Sequence, residues 1–289
     1  MKPKILIPVD FTKTSFSAFI YGNQLAKHIG ADITLIHILQ GSFSTADTYF
    51  IDTLENTEKL AKKRLEYFTK EYPKEMGYTM HPVSTKYELR YGIPGFTVTD
   101  FAADNSFDYI VAGTRDNHNI IERVLGNTSK IMAKTTKTPI IFVHENTRFR
   151  APEKIVFAID NQSDFDECLE HYVEFNKHFH AKTTFIHISK EKPTLEHTKS
   201  AILKEIFDNK YPEFSFDIKS IQGSEIAQSI IDFSIFEKAD LLTVVHRKKG
   251  LFSELFETSI SFKTMEGIHL PILWLIENPG KKPITESEN

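Results

Sequence analysis

The sequence predicts an α/β protein: two tandem open, doubly wound, five-stranded parallel sheets, each flanked by helices. Three observations lead there. The chain repeats itself, short apolar runs alternate with amphipathic stretches, and turn residues punctuate the alternation. "KILIPVDF" at Lys4–Phe11 aligns with "KIVFAIDN" at Lys154–Asn161, and "ADITLIHI" at Ala31–Ile38 aligns with "AKTTFIHI" at Ala181–Ile188, both at an offset of 150 residues. Farther on, "YGIPGFTVTDFAADNSFDYIVAG" matches "IQGSEIAQSIIDFSIFEKADLLTVV" in pattern, and "KTPIIFV" matches "HLPILWL", now at an offset of 131–132. A pattern that recurs in order at matching spacing marks a repeated structural unit. The change of offset leaves the first half with roughly 18 extra residues after its second strand.

Each element follows from its local pattern. Ile5–Val9, Ile33–Ile38, Tyr109–Ala112 and Ile140–Val143 are short apolar runs, as strands buried on both faces of a parallel sheet must be. After Asp10, the residues Phe16, Phe19 and Ile20 fall at i, i+3, i+4 spacing, with Thr and Ser before them as N-caps and Gly30 after them as a stop. The counterpart from Ser163 to about His180 carries Phe165, Leu169, Tyr172 and Phe175 at similar spacing. Strand and helix in alternation call for a parallel sheet reached by right-handed crossovers, with about five strands in each half. The polar, proline-containing connector His144–Lys154 separates a domain at 1–145 from a second at 152–278, and a polar tail covers 279–289. The inserted region between Gln40 and Tyr87 fits a longer helix and loop that covers a site, and it fits a surface excursion equally well.

Composition narrows the function. With 40% hydrophobic and 26% charged residues, and no run near the roughly 18 apolar residues of a membrane span, the chain reads as a soluble cytoplasmic protein. The N-terminus "MKPKILIPVD" lacks a signal-peptide core, because Asp10 interrupts its short apolar run. Cys168 is the only cysteine, which excludes an internal disulfide and reads as a structural residue. A net charge of −4, with the densest basic cluster limited to His246–Lys249, gives no footprint for nucleic acid. His178 and His180 lack a carboxylate or cysteine partner in sequence and read as helix-end residues. His37 and His187 recur at equivalent strand positions, which points to a shared packing or hydrogen-bonding role.

The element order, the "ILIPVDF" opening strand, the "LIHI" second strand, the Gly92-Ile93-Pro94 step and the closing "TPIIFV" together resemble the universal stress proteins, here as a tandem pair. That resemblance implies an adenine nucleotide alpha hydrolase-like, Rossmann-like fold and ATP binding through Gly, two residues, Gly, nine residues, Gly, then Ser or Thr. In this chain Gly113 fills the first place, Asp116 the second, Gly126 the third and Asn127 the fourth. The resemblance also places Asp10 near adenine and ribose, with Asp160 as its second-half counterpart. Val245, Lys248 and Thr258 stand at the three glycine places of the second half, whose site therefore reads as degenerate.

Physical chemistry sharpens the expected first-half site: Asp10, Gly113, Arg115, Asp116, Gly126, Asn127 and Thr128. Ligands of open α/β sheets lie beyond the carboxyl ends of the strands, where strand order reverses. Glycine admits close approach of phosphate to the main chain, and a helix N-terminus supplies N–H donors. Asp116 opposes phosphate: two unit charges about 4 Å apart repel by roughly 1 kcal/mol in water and about 4 kcal/mol at an effective dielectric near 20. A bound Mg²⁺ reverses that sign, and Arg115 and His118 offset part of the charge. The chain has no H-E-x-x-H, G-x-S-x-G, Walker or G-x-G-x-x-G motif, and "PVDFTKTS" replaces the Ser-Gly-Gly loop of the ATP-cleaving relatives. The resemblance implies a stress-response protein that binds ATP, with Mg²⁺ as an accessory ion, and acts through protein partners as a homodimer or as an intrachain pseudo-dimer, for which the closing strands around Ile140 and Ile272 are the candidate pairing edges. The alternatives are a nucleotide-free interaction module and a slow ATPase.

Overall fold

The computed structural model describes residues 2–39, 49–114, 127–145, 147–159, 166–189, 213–224, 226–246 and 270–276. The first half runs β1 (Lys4–Pro8), α1 (Lys13–Ile29), β2 (Asp32–Leu39), α2 (Tyr49–Lys70), a single turn α3 (Tyr72–Glu75), β3 (Thr85–Tyr91), α4 (Pro94–Asp104), β4 (Tyr109–Thr114), α5 (Asn127–Thr135) and β5 (Ile140–His144). The second half repeats it with β6 (Lys154–Ile159), α6 (Asp166–Asn176), β7 (Lys182–Ser189), β8 (Phe216–Gln222), α7 (Ile226–Phe236), β9 (Leu241–His246) and β10 (Ile272–Ile276).

The strands form one ten-stranded sheet in the order β3-β2-β1-β4-β5-β10-β9-β6-β7-β8. The two expected five-stranded sheets are thus joined edge to edge. Every neighbouring pair is parallel except β5 and β10, which run antiparallel with Ile140 opposite Trp274, Ile141 opposite Leu273 and Phe142 opposite Ile272. These are the closing strands around Ile140 and Ile272 that the sequence marks for pairing. β5 is buried along its whole length, and an apolar edge of that kind is an aggregation hazard unless another strand covers it. Trp274 secures the join from the side: its Nε1–H donates to the Ala133 carbonyl at 2.9 Å.

Alternation along the strands sorts the core into two layers. Ile5 and Ile7 of β1 lie in the layer that α1, α2 and α6 cover with Phe16, Phe19, Leu65, Phe68 and Tyr172. Leu6 points the other way, into the layer that α4, α5 and α7 cover with Val98, Met132 and Ile230. Cys168 is buried in the first layer. The repeat extends to small devices. Asp108 accepts a hydrogen bond from the Lys4 amide at 2.7 Å, and its counterpart Asp240 accepts from the Glu153 and Lys154 amides at 2.9 and 3.0 Å.

Helix α1 starts and stops where its sequence says. Thr12 is the N-cap, its hydroxyl accepting from the Ser15 amide at 3.3 Å, and Gly30 ends the helix in the left-handed region at φ 70°. The insertion contributes α2, whose Leu65 and Phe68 bury against α1, with the Phe16 and Phe68 rings 5.6 Å apart. It is therefore the crossover helix from β2 to β3 on the face that α1 covers. The polar tail 279–289 lies outside the described residues. No helix among the described residues is long and apolar enough to cross a membrane.

Candidate nucleotide site

Strand order reverses between β1 and β4, and a cavity of about 470 Å³ opens there at the carboxyl ends of the strands. Its walls come from six elements, with Pro94 and Val98 of α4 among them. Val9 and Asp10 leave β1, His37 to Leu39 end β2, and Ala112 and Gly113 end β4; Thr14 and Ser15 open α1, and Thr128 and Ser129 open α5. Two helix N-termini thus face one cavity. Each brings the positive end of a helix dipole, which favours phosphate and carboxylate groups.

Asp10 sits on the rim, exposed, with its Oδ1 accepting from the Thr12 amide at 3.1 Å and from the Thr12 hydroxyl at 2.5 Å. Thr12 in turn caps α1. The carboxylate therefore supports the cap while lining the cavity.

Gly113 carries a constraint that its place in a glycine motif does not convey. A Cβ built on it would lie 2.3 Å from the Thr14 carbonyl oxygen and 2.5 Å from the Thr14 carbonyl carbon. Glycine at this position lets the first turn of α1 lie against the end of β4. Ser129 completes the corner, its hydroxyl donating to the Gly113 carbonyl at 3.4 Å. Val245 is the equivalent fifth residue of β9 and is buried. Val245 thus puts a buried side chain at the strand position where Gly113 has none.

Of the expected site residues, the structure brings Asp10, Gly113 and Thr128 onto one cavity and places Asn127 at the first position of α5. Arg115, Asp116 and Gly126 lie outside the described residues, as do His118, Asp160, Lys248 and Thr258. Sequence reasoning missed Thr14 and Ser15 as cavity residues, whose signal was the Thr and Ser content of the α1 start. His37 has the hydrogen-bonding role its recurrence implied, its Nδ1 lying 2.7 Å from the Val9 carbonyl, which accepts. His180 likewise directs Nδ1 at the Glu213 carbonyl, 3.2 Å away. Among the described residues, no three histidine, cysteine or acidic side chains converge as a metal site would require.

This fold defines an open α/β protein with a cavity at its topological switch point, the place where such sheets bind ligands. Residues 1–144 match the universal stress protein family, and the chain belongs to that family. Over 150 residues it is 23% identical to a universal stress protein of Methanocaldococcus jannaschii, covering 48% of this chain and 81% of that one. Its fold is that of a universal stress protein of Archaeoglobus fulgidus, with a TM-score of 0.69 at 14% identity over 95% of this chain and 98% of that one. A functionally unknown protein of Pseudomonas aeruginosa is also similar, with a TM-score of 0.52 at 14% identity, covering 95% of this chain and 92% of that one.

Proposed function

We propose that the first-half cavity binds ATP or a related adenine nucleotide, and that the chain acts in a stress response by changing its contacts with protein partners when the site fills. One observation carries the reading: the α1 and α5 N-termini and Asp10 converge on a single cavity at the switch point. Phosphates suit the helix ends, and the Asp10 carboxylate suits a hydroxyl or amino donor of ribose or base. A cavity of about 470 Å³ lies within the span of small-ligand sites. Mg²⁺ fits the reading as an ion carried by the phosphates, with Asp116 as its protein carboxylate. The second half is mainly structural or regulatory, with Val245 at the place of Gly113.

The test is mass spectrometry of small molecules extracted from the purified chain, followed by ATP titration with and without Mg²⁺. Ligand at 100 times its Kd stabilises the folded state by about 2.7 kcal/mol. If no nucleotide co-purifies and millimolar ATP leaves the melting temperature unchanged, the reading fails and the chain is an interaction module. Replacing Asp116 by glycine is expected to tighten metal-free ATP binding. Weaker binding instead would assign Asp116 to a metal or to loop order.

A further inference from the structure

Asp10 is followed by a residue whose backbone is unusual. Phe11 has φ 62°, in the left-handed region that a bulky residue rarely enters. Strain of this kind persists only where the surroundings hold it in place. The Phe11 ring is held by three groups. Its centroid lies 4.6 Å from that of His37 and 5.7 Å from that of Phe68, and the Arg64 guanidinium lies 4.1 Å over its face. His37 is itself fixed to the Val9 carbonyl. Arg64 and Phe68 both belong to α2, the helix of the insertion.

We propose that Phe11 and Arg64 are positioning residues for the nucleotide cavity, through which α2 sets the geometry of Asp10 and of the α1 N-terminus; this rests on the nucleotide reading above. Arg64 lies over the Phe11 ring, and Phe11 is covalently flanked by the two groups that matter. On one side is Asp10, on the cavity rim. On the other is Thr12, which accepts from the Ser15 amide and donates to Asp10. A cation over an aromatic face is a directional contact, so loss of Arg64 frees the ring without removing buried apolar surface. Release of the ring lets the residue leave its left-handed conformation, and the Asp10–Thr12 hinge turns with it. Ligand contacts that depend on Asp10 and on the Thr14 and Ser15 end of α1 weaken together. By linkage, a bound nucleotide steadies the contact between α2 and Phe11 to the same degree that the contact favours the nucleotide.

The experiment uses the full chain and two readouts. Isothermal titration with ATP is compared between wild type, Arg64→Met, Arg64→Lys and Phe11→Leu, and amide hydrogen exchange of the 11–16 segment is followed without ligand. Arg64→Met is expected to weaken ATP binding by about three- to tenfold and to speed exchange in that segment, with the melting temperature little changed. Arg64→Lys keeps a cation on the ring and should recover most of the affinity, which a plain packing role would not produce. Unchanged exchange in Arg64→Met and Phe11→Leu overturns the proposal, as does faster exchange with unchanged affinity. If the wild type binds no ATP, the nucleotide reading fails by itself, and the exchange readout still decides whether α2 positions the Asp10 loop.

Discussion

Replacing Gly113 by alanine tests whether this glycine serves the protein's own backbone or only a ligand. The added Cβ would stand 2.3 Å from the Thr14 carbonyl oxygen and 3.1 Å from the Ser15 amide nitrogen, whereas ordinary contact begins at 3.4 Å. Both neighbours are backbone, so no rotamer change relieves the clash. Either α1 or β4 must shift by about 1 Å in a close-packed layer. Overpacking of this kind costs about 1–3 kcal/mol. In a chain of this size that corresponds to roughly 2–10 °C in Tm. The measurement is urea and thermal denaturation of the ligand-free chain, because the clash exists whether or not a ligand is present. Stability within about 0.5 kcal/mol of wild type, together with lost ATP binding, would refute the reasoning and return Gly113 to a purely phosphate-facing role.

Three further outcomes are expected. Thr12→Ala removes the N-cap of α1 and should lower stability by about 1 kcal/mol in urea denaturation, with Thr12→Ser close to wild type. The His178 imidazole is held below its usual range by burial first and then by the Lys177 ammonium and His28, against Glu174 and Asp108, which act the other way. Its share of stability is therefore full above the ordinary histidine range near pH 6.5 and lost as pH falls through the lower folded value; His178→Asn should flatten the pH dependence of the urea midpoint between about pH 7.5 and 5. The single tryptophan, Trp274, sits buried at the β5–β10 join, so its fluorescence should change together with far-UV circular dichroism in urea. Separate transitions would show that the two halves unfold independently.

Much of the fold was legible because parallel strands and their crossover helices leave periodic marks. The 150-residue offset of "KILIPVDF" and "KIVFAIDN" reappears as β1 and β6, and the shifted offset locates the insertion between β2 and β3. Edge-to-edge fusion was legible only as a pair of candidate strands. The antiparallel register of Ile140 on Trp274 depends on tertiary fit that no local pattern encodes. At the cavity, Asp10 and Gly113 were legible as lining residues, but the packing of Gly113 on Thr14 was not. One letter stands both for phosphate approach and for the Thr14 backbone, and sequence spacing cannot separate them. The grip of Arg64 on Phe11 was equally hidden, since 53 residues of chain separate the two and only α2's placement joins them.

The join between β5 and β10 bears on how such a chain can change over time. Where two identical subunits meet at an edge, every substitution is made twice, and a site can be altered only in duplicate. A covalently continuous sheet removes that symmetry. Here one half keeps a glycine beside its helix start while the other carries valine at the same place, and the shared strand edge remains filled by both. The second half is thereby free to specialise as a surface while the first retains its cavity, at a fixed stoichiometry that dilution cannot disturb.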